Sequence, residues 1–364
     1  MKIIHLTWSL CFGGIETMLV NIANAQAREG ADVKIVLINE LYEQSLIEKI
    51  SPKVEVKYLH RRVGSRNLWW IVKLNYYLRK ENPDAIHMHG SLFYRLIAGR
   101  RLSRGACSTL HALPTGSVRR GGLLAKAFPP LDLKTDGNVT NIDLVPRVFA
   151  ISEAVKDALW KQYGVKSTVV SNGIDTAIFQ TRAARPVGNP MRMVQVGRLE
   201  HDKKGQDLLI RAVANLKSQV VLDLIGIGSS MDYLKQLTAE LGADAYVNFL
   251  GKQTQDYIAT HLKDYDLFAH PARYEGFGLT VAEAMAAGVP VLVSAGQGPA
   301  EVTCGEKYGW VFENGDVDGL TAQIGHVLSN YDAALEKAAR ARDYVINTYD
   351  VSITARRYIE LYRK

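Results

Sequence analysis

The sequence predicts an α/β protein made of two doubly wound domains that face each other across a cleft. With 364 residues, the chain is longer than a single hydrophobic core usually accommodates. Short apolar runs of strand length alternate with segments of helical periodicity in both halves, as expected for parallel sheets covered by helices. A stretch rich in turn residues, 171–190, separates the two alternations and predicts the interdomain linker.

The first alternation begins at the N-terminus. Residues 2–6 predict a buried strand, a glycine-containing loop follows, and apolar residues recur at helical spacing between 15 and 23. Residues 33–38 predict the next strand, which completes a strand–helix–strand unit. Later strands are predicted at 85–89, 108–111 and 147–151, and Ser152 is placed to cap the next helix. The aperiodic stretch 112–142 predicts a long functional loop.

The second alternation has the same character. Strands are predicted at 193–196, 220–225, 246–250, 267–269 and 289–293, with helices at 206–216, 233–241 and 279–287. We therefore expect a first domain at 1–185 and a second domain at 186–345. The remaining segment, 346–364, contains a final helix that is expected to pack back on the first domain.

The composition indicates a folded protein without a membrane span. Hydrophobic residues make up 47% and charged residues 22% of the chain, and no run reaches the roughly 18 apolar residues that a spanning helix needs. The N-terminus shows no signal-peptide pattern. The cysteines are odd in number and lack metal-type spacing, so we expect a cytoplasmic location and no disulfide. They are Cys11, Cys107 and Cys304.

The net charge of +7 is unevenly distributed. The excess of Lys and Arg lies in the first half, where Glu81 and Asp84 are the only acidic residues between positions 61 and 126. This asymmetry predicts an anionic partner for the first domain, which is a membrane surface, a phosphorylated lipid or a nucleic acid. A well-solvated basic face explains the same charges without any partner.

The most informative stretch of the chain contains Glu275-Gly276-Phe277-Gly278-Leu279 and, further on, Glu283. Gly276 and Gly278 leave the backbone free of Cβ atoms directly before a predicted helix, whose unpaired N–H groups and positive dipole end favour a phosphate. Carboxylates accept hydrogen bonds from sugar or ribose hydroxyls, so two acids beside such a site suit a sugar nucleotide. Glycines that merely frame a strand–helix crossover would leave both acids unexplained.

This stretch resembles the Glu-x7-Glu motif of the retaining glycosyltransferases of family 4, which have the GT-B fold of two Rossmann-like domains. The resemblance implies that the donor substrate is a nucleoside-diphosphate sugar. It also implies that Glu283 binds the ribose and that Glu275 lies beside the transferred sugar. In the same way, it implies that the backbone of Phe277, Gly278 and Leu279 contacts the phosphates.

A second motif provides positive charge. Arg198 lies where a predicted strand ends and Lys204 where the next helix begins, so both lie at the carboxyl edge of the sheet, where open α/β sheets bind ligands. Two cations there would neutralise a departing nucleoside diphosphate. The family has an Arg and a Lys at this spacing, and the resemblance implies that role for both. Lys203 is the less favoured neighbour.

Three further positions match family features. Gly226 opens a Gly-x-Gly turn after a predicted strand, although a tight strand-to-helix turn explains this pattern equally well. Gly13 and Gly14 resemble the loop that faces the donor phosphate from the first domain. His111 falls where the family has its active-site histidine, but Ala112 replaces the Asp that often follows it. A hydrogen-bonded core histidine is the alternative for this position.

No metal is expected. His87 and His89 are interpreted as structural residues at the sheet edge, because the sequence offers no evident third ligand. The two Asp-x-Asp triplets are also interpreted as structural, since Asp266 precedes a buried strand and Asp316 is placed to cap a helix. The two cations of the second motif make a metal unnecessary for stabilising the leaving group.

The basic segment contains candidates for contact with an acceptor or a membrane. Residues 67–80 predict an amphipathic helix in which Trp69 and Trp70 suit the interface of an anionic membrane, although packing against the sheet explains them equally well. Candidates for an acceptor pyrophosphate lie in the long loop, namely Arg119, Arg120 and Lys126.

Together these features predict a retaining hexosyltransferase that uses a nucleoside-diphosphate sugar. A UDP-sugar is favoured over a GDP-sugar, and no cofactor is expected. The predicted acceptor is a glycan or a polyprenyl- or other lipid-linked glycan of cell-envelope polysaccharide synthesis. We expect the protein to contact the inner face of the plasma membrane peripherally. A nucleic-acid partner is not expected, because the donor motif would have no role there.

Several alternatives compete with this prediction. One is a non-catalytic partner that binds sugar nucleotides, and another is a hydrolase or epimerase of the same fold. A hydrolase would pair Glu275 with Glu283, but on one continuous helix these residues would lie about 12 Å apart. Paired carboxylates need about 5 to 9.5 Å. A dehydrogenase is disfavoured, because neither domain opens with Gly-x-Gly-x-x-Gly.

Overall fold

The computed structural model describes residues 1–11, 13–114, 139 and 141–364, and these form two compact units. The first unit comprises Met1–Gly173 together with Val351–Lys364, and the second comprises Ile174–Asp350. Short 3-10 helices occur at Ser91–Leu96, Ile142–Leu144, Thr176–Ile178, Lys217–Gln219, Leu262–Asp264 and Gly305–Lys307.

The first unit is built on a seven-stranded parallel sheet with the order β3-β2-β1-β4-β5-β6-β7. Its strands are β1 (Lys2–Thr7), β2 (Asp32–Asn39), β3 (Val54–Arg61), β4 (Ala85–Met88), β5 (Ala106–Leu110), β6 (Arg147–Ala150) and β7 (Thr168–Val169). Its helices up to the unit boundary are α1 (Gly14–Arg28), α2 (Gln44–Ile47), α3 (Trp69–Glu81), α4 (Arg100–Arg104) and α5 (Glu153–Tyr163).

The second unit is built on a six-stranded parallel sheet with the order β10-β9-β8-β11-β12-β13. Its strands are β8 (Met191–Val196), β9 (Val220–Ile225), β10 (Val247–Gly251), β11 (Leu267–His270), β12 (Val291–Ser294) and β13 (Trp310–Phe312). Its helices are α6 (His201–Lys204), α7 (Gln206–Leu216), α8 (Met231–Glu240), α9 (Gln255–His261), α10 (Leu279–Ala286), α11 (Gly298–Val302), α12 (Val317–Ser329) and α13 (Tyr331–Tyr349).

Both sheets have the strand order of a doubly wound fold, which confirms the predicted α/β class. Every residue of β4, β5, β11 and β12 is buried, as expected for parallel strands that are covered by helices on both faces. The strand order reverses between β1 and β4 in the first unit and between β8 and β11 in the second. Such a switch point opens a crevice at the carboxyl ends of the strands, where ligands of this fold class bind.

The two predicted helix caps are confirmed. The hydroxyl of Ser152 accepts a hydrogen bond from the amide of Val155 at the start of α5. The carboxylate of Asp316 accepts one from the amide of Gly319 at the start of α12. Each side chain satisfies an amide that the first turn of a helix leaves without a backbone partner.

The boundary between the units lies twelve residues before the expected position at 185, because the chain from Ile174 onward is bonded to the second unit. The amide of Ile174 donates to the carbonyl of Tyr349, and the amide of Gln180 donates to that of Ala259. The buried guanidinium of Arg182 pairs with Asp266 at 2.8 Å. From Ile174 onward, the predicted linker 171–190 is therefore part of the second unit.

The final helix, α14 (Val351–Tyr362), belongs to the first unit. It packs on α1, where Gln26 donates a hydrogen bond to the hydroxyl of Tyr362 and Glu29 pairs with Arg356. The crossing point is Asp350 rather than the expected residue 346, because α13 continues to Tyr349 within the second unit.

The aromatic pair of α3 is divided between the core and the surface. The side chain of Trp70 is only 4% exposed and packs edge-on against Trp8, whereas Trp69 is 66% exposed. The prediction that Trp70 contacts a membrane is therefore wrong, because its ring would have to leave the core to make that contact. Trp69 remains available on the surface. None of the described helices combines the length and the hydropathy required to cross a bilayer.

We predict that Asp266→Asn lowers the free energy of unfolding by about 3 to 5 kcal/mol, because it leaves the Arg182 guanidinium buried without its counter-charge. Equilibrium unfolding in urea measures this change. The matched control is Asp264→Asn, which alters the same Asp-x-Asp triplet outside the ion pair and is expected to change the free energy by less than about 0.5 kcal/mol. Equal losses in the two variants would contradict the prediction.

Candidate functional site

Two loops meet at the switch point of the second sheet. The first, 197–205, follows β8, and the second, 271–278, follows β11. They carry three of the predicted catalytic residues, Arg198, Lys204 and Glu275. The predicted residues of the second unit therefore lie at the carboxyl edge where doubly wound sheets bind ligands.

An ion pair between Lys204 and Glu275 connects the two loops. The ammonium of Lys204 donates to Oε2 of Glu275, and the two side chains are 18% and 19% exposed. The imidazole Nε2 of His270, at the end of β11, lies 3.5 Å from the same oxygen. Burial alone would raise the pKa of Glu275, but the Lys204 charge and His270 outweigh it and hold the pKa well below its usual range. Glu275 is thus a fixed negative charge.

The backbone of the first loop holds Lys204 against the second loop. Helix α6 ends at Gly205, which has a φ of +68°, and a Cβ atom there would lie 2.0 Å from the carbonyl oxygen of Pro271. Only glycine combines this left-handed conformation with so close a contact. In addition, the side chain of Gln195 donates to the carbonyl of Lys204 at 2.8 Å. The backbone at Lys204 is therefore held in place by the contact of Gly205 with Pro271 and by the hydrogen bond from Gln195.

The start of α10 has a row of amides without hydrogen-bond partners among the described residues. Gly278, with a φ of +95°, is the residue before the helix and provides no side-chain cap. Among the described residues, the amides of 277–280 have no hydrogen-bond partner. Phe277 is buried, and its ring packs edge-on against Tyr349. Unpaired amides at a helix N-terminus form a site that favours an anion.

A third loop supports this turn. The side-chain oxygen of Gln297 accepts a hydrogen bond from the amide of Glu275 at 3.0 Å. The carbonyl of Glu275 in turn accepts one from the amide of Gly298 at 2.9 Å. A Cβ atom on Gly298 would lie 2.4 Å from the backbone of Gly276, so the close approach of the two loops requires a glycine here.

Glu283 is buried in α10. Its Oε1 accepts a hydrogen bond from the side chain of Gln255 at 2.9 Å. Burial raises the pKa of Glu283 to about 7, and the Gln255 bond only partly opposes this effect. This carboxyl group therefore changes its charge near neutral pH, unlike Glu275.

Arg198 is placed differently from Lys204. Its guanidinium is 70% exposed and pairs with Glu200 at 3.1 Å, so it does not join the Lys204–Glu275 pair. Gly226 lies in close contact with the start of the loop that carries Arg198. A Cβ atom on Gly226 would lie 1.9 Å from the carbonyl oxygen of Gly197, so the alternative interpretation, a tight turn, accounts for this glycine.

In the first unit, the glycine pair begins α1. Gly13 precedes the helix and Gly14 is its first residue, while Phe12 lies outside the described residues. A Cβ atom on Gly13 would lie 2.4 Å from Oε2 of Glu16, so this acid is folded over the helix start.

His111 lies directly after β5 and is 9% exposed. Its Nε2 is hydrogen-bonded to Nδ1 of His89 at 3.0 Å, and its Nδ1 has no partner among the described residues. The predicted acceptor-side residues Arg119, Arg120 and Lys126 lie outside the described part of the chain.

A third imidazole lies beside His87 of β4 and His89, which directly follows β4, although the sequence offered no evident third ligand. His5 of β1 lies with His87 and His89 at a spacing that metal ligands also show. However, all six ring nitrogens of these residues already have hydrogen-bond partners in the protein. We therefore interpret His5, His87 and His89 as a hydrogen-bonded cluster rather than as a metal site.

Sequence reasoning missed four polar residues that hold the predicted ones in place. His270 ends a buried strand, much as His111 directly follows one. A histidine at the end of an apolar run is therefore a sequence signal that could have identified it. His5 stands in the same way near the end of β1. Gln255 and Gln297 gave no signal, because they lie in other loops and act only through tertiary contacts.

Two family models cover nearly the whole chain. Residues 12–178 match the model described as Glycosyltransferase Family 4. Residues 179–347 match the model described as Glycosyl transferases group 1. The division between the two matches falls within five residues of the boundary between the structural units.

Individual proteins are also similar to this chain. The chain is 28% identical over 365 residues to the lipopolysaccharide core biosynthesis glycosyltransferase LpsE of Rhizobium meliloti, covering 99% of this chain and 98% of the other. It is 28% identical to a glycogen synthase of Mycobacterium tuberculosis over 295 residues, 78% of this chain and 69% of that one. Among solved structures, HepE of Anabaena in complex with UDP and glucose has a TM-score of 0.78 at 23% identity, with 99% of both chains covered.

We predict that Glu283 makes the second unit less stable as the pH rises. Its pKa is about 7 in the folded chain and about 4.5 when unfolded, so its stabilising contribution is complete below pH 4.5 and is lost as the pH rises through 7. The free energy of unfolding of the unmodified protein should therefore fall by about 3 kcal/mol relative to Glu283→Gln over this range. Urea unfolding at several pH values measures the difference.

The control for this measurement is Glu313→Gln, which removes an exposed acid of the same unit. Its difference from the unmodified protein should stay nearly constant with pH. A Glu283→Gln difference that is flat, or that changes in the opposite direction, would show that the folded chain does not raise the pKa of Glu283.

Proposed function

We propose, from the premise that this chain belongs to the family 4 glycosyltransferases with the GT-B fold, that it transfers a hexosyl unit from a nucleoside-diphosphate sugar with retention of the anomeric configuration. One observation carries the proposal. The ammonium of Lys204 and the unpaired amides of 277–280 lie at the same switch point, where a diphosphate would meet positive charge and hydrogen-bond donors together.

The diphosphate is bound by Lys204 and by the backbone of Phe277, Gly278 and Leu279. These groups favour the transition state most, because negative charge grows on the diphosphate as the sugar departs. Because Arg198 is exposed, its guanidinium can exchange its partner Glu200 for a phosphate, which a bidentate guanidinium binds well.

The two acids of the motif have separate roles. Glu283 accepts hydrogen bonds from the ribose hydroxyls, and its partner Gln255 keeps Oε1 oriented. Glu275 lies beside the transferred sugar, where its fixed negative charge stabilises the positive charge that develops at the anomeric carbon. UDP is the favoured nucleotide, since the related HepE was solved with UDP and with UDP-glucose.

The reaction exchanges one bond at the anomeric carbon for another. The bond to the diphosphate oxygen breaks, the bond to the acceptor oxygen forms on the same face, and the acceptor proton passes to the departing phosphate oxygen. Glu275 does not serve as a covalent nucleophile, because Lys204 holds its carboxylate. Retention thus follows from attack and departure on one face rather than from two displacements.

Metal-independence is also part of the proposal. A lysine ammonium and helix amides supply the stabilisation that a divalent ion supplies in other transferases. Each Asp-x-Asp triplet has an aspartate committed elsewhere, since Asp266 pairs with Arg182 and Asp316 caps α12.

The acceptor is proposed to be a glycan or lipid-linked glycan of the cell envelope. The relative LpsE acts in lipopolysaccharide core biosynthesis, and the first half of this chain is basic, as suits an anionic acceptor or membrane. We place the protein in the cytoplasm, with the exposed Trp69 as a candidate for peripheral contact with the inner face of the plasma membrane.

We predict that Lys204→Met weakens the binding of UDP on the order of 10- to 100-fold, because one charge-assisted hydrogen bond to phosphate is lost. Isothermal titration calorimetry measures the dissociation constant. Lys203→Met is the matched control, since Lys203 is the adjacent cation on the same helix and does not contact Glu275. The double variant Lys204→Met/Glu275→Gln removes the carboxylate that the single variant leaves unpaired. Equal losses for Lys203 and Lys204, or no binding of any nucleoside diphosphate, would refute the site.

We predict that the product formed from an α-linked UDP-sugar is the α-glycoside and that excess EDTA leaves its rate of formation unchanged. Proton NMR of the product determines the anomeric configuration, and a UDP-release assay determines the rate. A β-linked product would disprove retention. A loss of rate in EDTA that Mg²⁺ restores would disprove metal-independence alone.

A further inference from the structure

One face of the first sheet carries a row of buried histidines. His5 of β1 is directly opposite His87 of β4 in the sheet register. His89 follows His87 by two positions, and His111 continues β5 on the same face, because side chains two residues apart on a strand point the same way. All four imidazoles are buried, and the centroids of neighbouring rings lie between 4.6 and 5.3 Å apart.

Three of these imidazoles form a continuous hydrogen-bonded chain that begins at α1. The side-chain oxygen of Gln26 lies 2.8 Å from Nε2 of His5. Nδ1 of His5 lies 3.1 Å from Nε2 of His89, and Nδ1 of His89 lies 3.0 Å from Nε2 of His111. The chain ends at Nδ1 of His111, which is buried and has no partner among the described residues.

The imidazoles of this chain are neutral near neutral pH. Burial lowers the pKa of His5 and of His111 to about 4, and it lowers the pKa of His89 well below its usual value. A neutral imidazole carries one proton, so one ring nitrogen donates a hydrogen bond and the other accepts one. The direction of every bond in the chain is then decided by its first member.

The first member is the amide oxygen of Gln26, which can only accept. His5 therefore has its proton on Nε2 and presents a lone pair at Nδ1. His89 must donate from Nε2 to that lone pair and presents its own Nδ1. His111 must donate from Nε2 to His89, which leaves the lone pair of His111 at the free Nδ1.

A second branch begins at the other end of the Gln26 amide. Its NH2 group donates to the hydroxyl of Tyr362 on α14. That hydroxyl lies 2.5 Å from Nδ1 of His87, and Nε2 of His87 lies 2.7 Å from the hydroxyl of Thr109. With the Gln26 amide as donor, Tyr362 gives its proton to His87, and His87 donates to Thr109. The two branches thus run outward from the two ends of one amide.

We propose that Gln26 sets the tautomer of His111, so that His111 presents an unprotonated Nδ1 as a hydrogen-bond acceptor for a substrate hydroxyl at the carboxyl edge of the first sheet. Gln26, His5 and His89 are positioning residues in this proposal, since they act only through His111. The identity of the ligand rests on the proposed function, whereas the tautomer does not. The proposal explains why a polar row is retained inside an apolar core, where each imidazole must find partners.

Nitrogen-15 NMR of the histidine-labelled protein tests the tautomer without any substrate. We expect His5, His89 and His111 to be protonated at Nε2 in the unmodified chain. Gln26→Glu keeps an acceptor at the first position and should preserve this pattern, whereas Gln26→Leu removes it and should give mixed tautomers. Thr109→Val, which changes the His87 branch only, is the control and should leave His111 unchanged. Protonation of His111 at Nδ1 in the unmodified protein would overturn the proposal.

Kinetics test the consequence for the donor. We expect Gln26→Leu to lower kcat/KM for the UDP-sugar about 10-fold, while the dissociation constant of UDP, which lacks the sugar, stays the same. Gln26→Glu should restore most of the lost kcat/KM. An altered tautomer with an unchanged kcat/KM would overturn the role in substrate recognition.

Two further outcomes are distinguishable from these. Failure of UDP to bind the unmodified protein would reject the proposed function and leave the tautomer result intact. Stoichiometric zinc in the purified protein that is lost on His5→Gln would overturn the hydrogen-bonded chain, because a metal-bound nitrogen carries no proton.

Discussion

The ion pair between Lys204 and Glu275 is the interaction on which the site depends. It joins the loop after β8 to the loop after β11, and these strands are neighbours only because the sheet order reverses between them. Gly205 and Gln297 serve the same junction, one by allowing the approach to Pro271 and the other by holding the amide of Glu275. Without this junction, the amides at the start of α10 would have no cation beside them.

The features that sequence predicts well are those with a local cause. Strands that are buried on both faces are continuous apolar runs, and β11 and β12 were predicted from such runs. The stretch from Glu275 to Glu283 was found because glycines, acids and a helix start are adjacent in the chain. Ser152 and Asp316 were found because a capping residue acts on an amide three residues away.

The features that sequence did not predict have partners far away in the chain. The second unit begins at Ile174 rather than at the expected residue 186. The segment after Ile174 contains Arg182, which pairs with Asp266, a residue 84 positions later in the chain. His5 and Gln26 reach His111 only through sheet register and helix packing, which no local pattern encodes. Trp69 and Trp70 are adjacent in sequence, yet they lie on different sides of α3, and only the packing against Trp8 distinguishes them.

Hydrogen exchange measured by mass spectrometry with and without UDP tests the central claim most directly, because it reports on the amides themselves. The account predicts that UDP slows exchange at residues 277–280, whose amides have no partner among the described residues, and in the loop 197–205. Exchange at the start of α12, an already capped helix of the same unit, should not change. Protection of α12 with unchanged exchange at 277–280 would contradict the claim that the Lys204–Glu275 junction builds the diphosphate site.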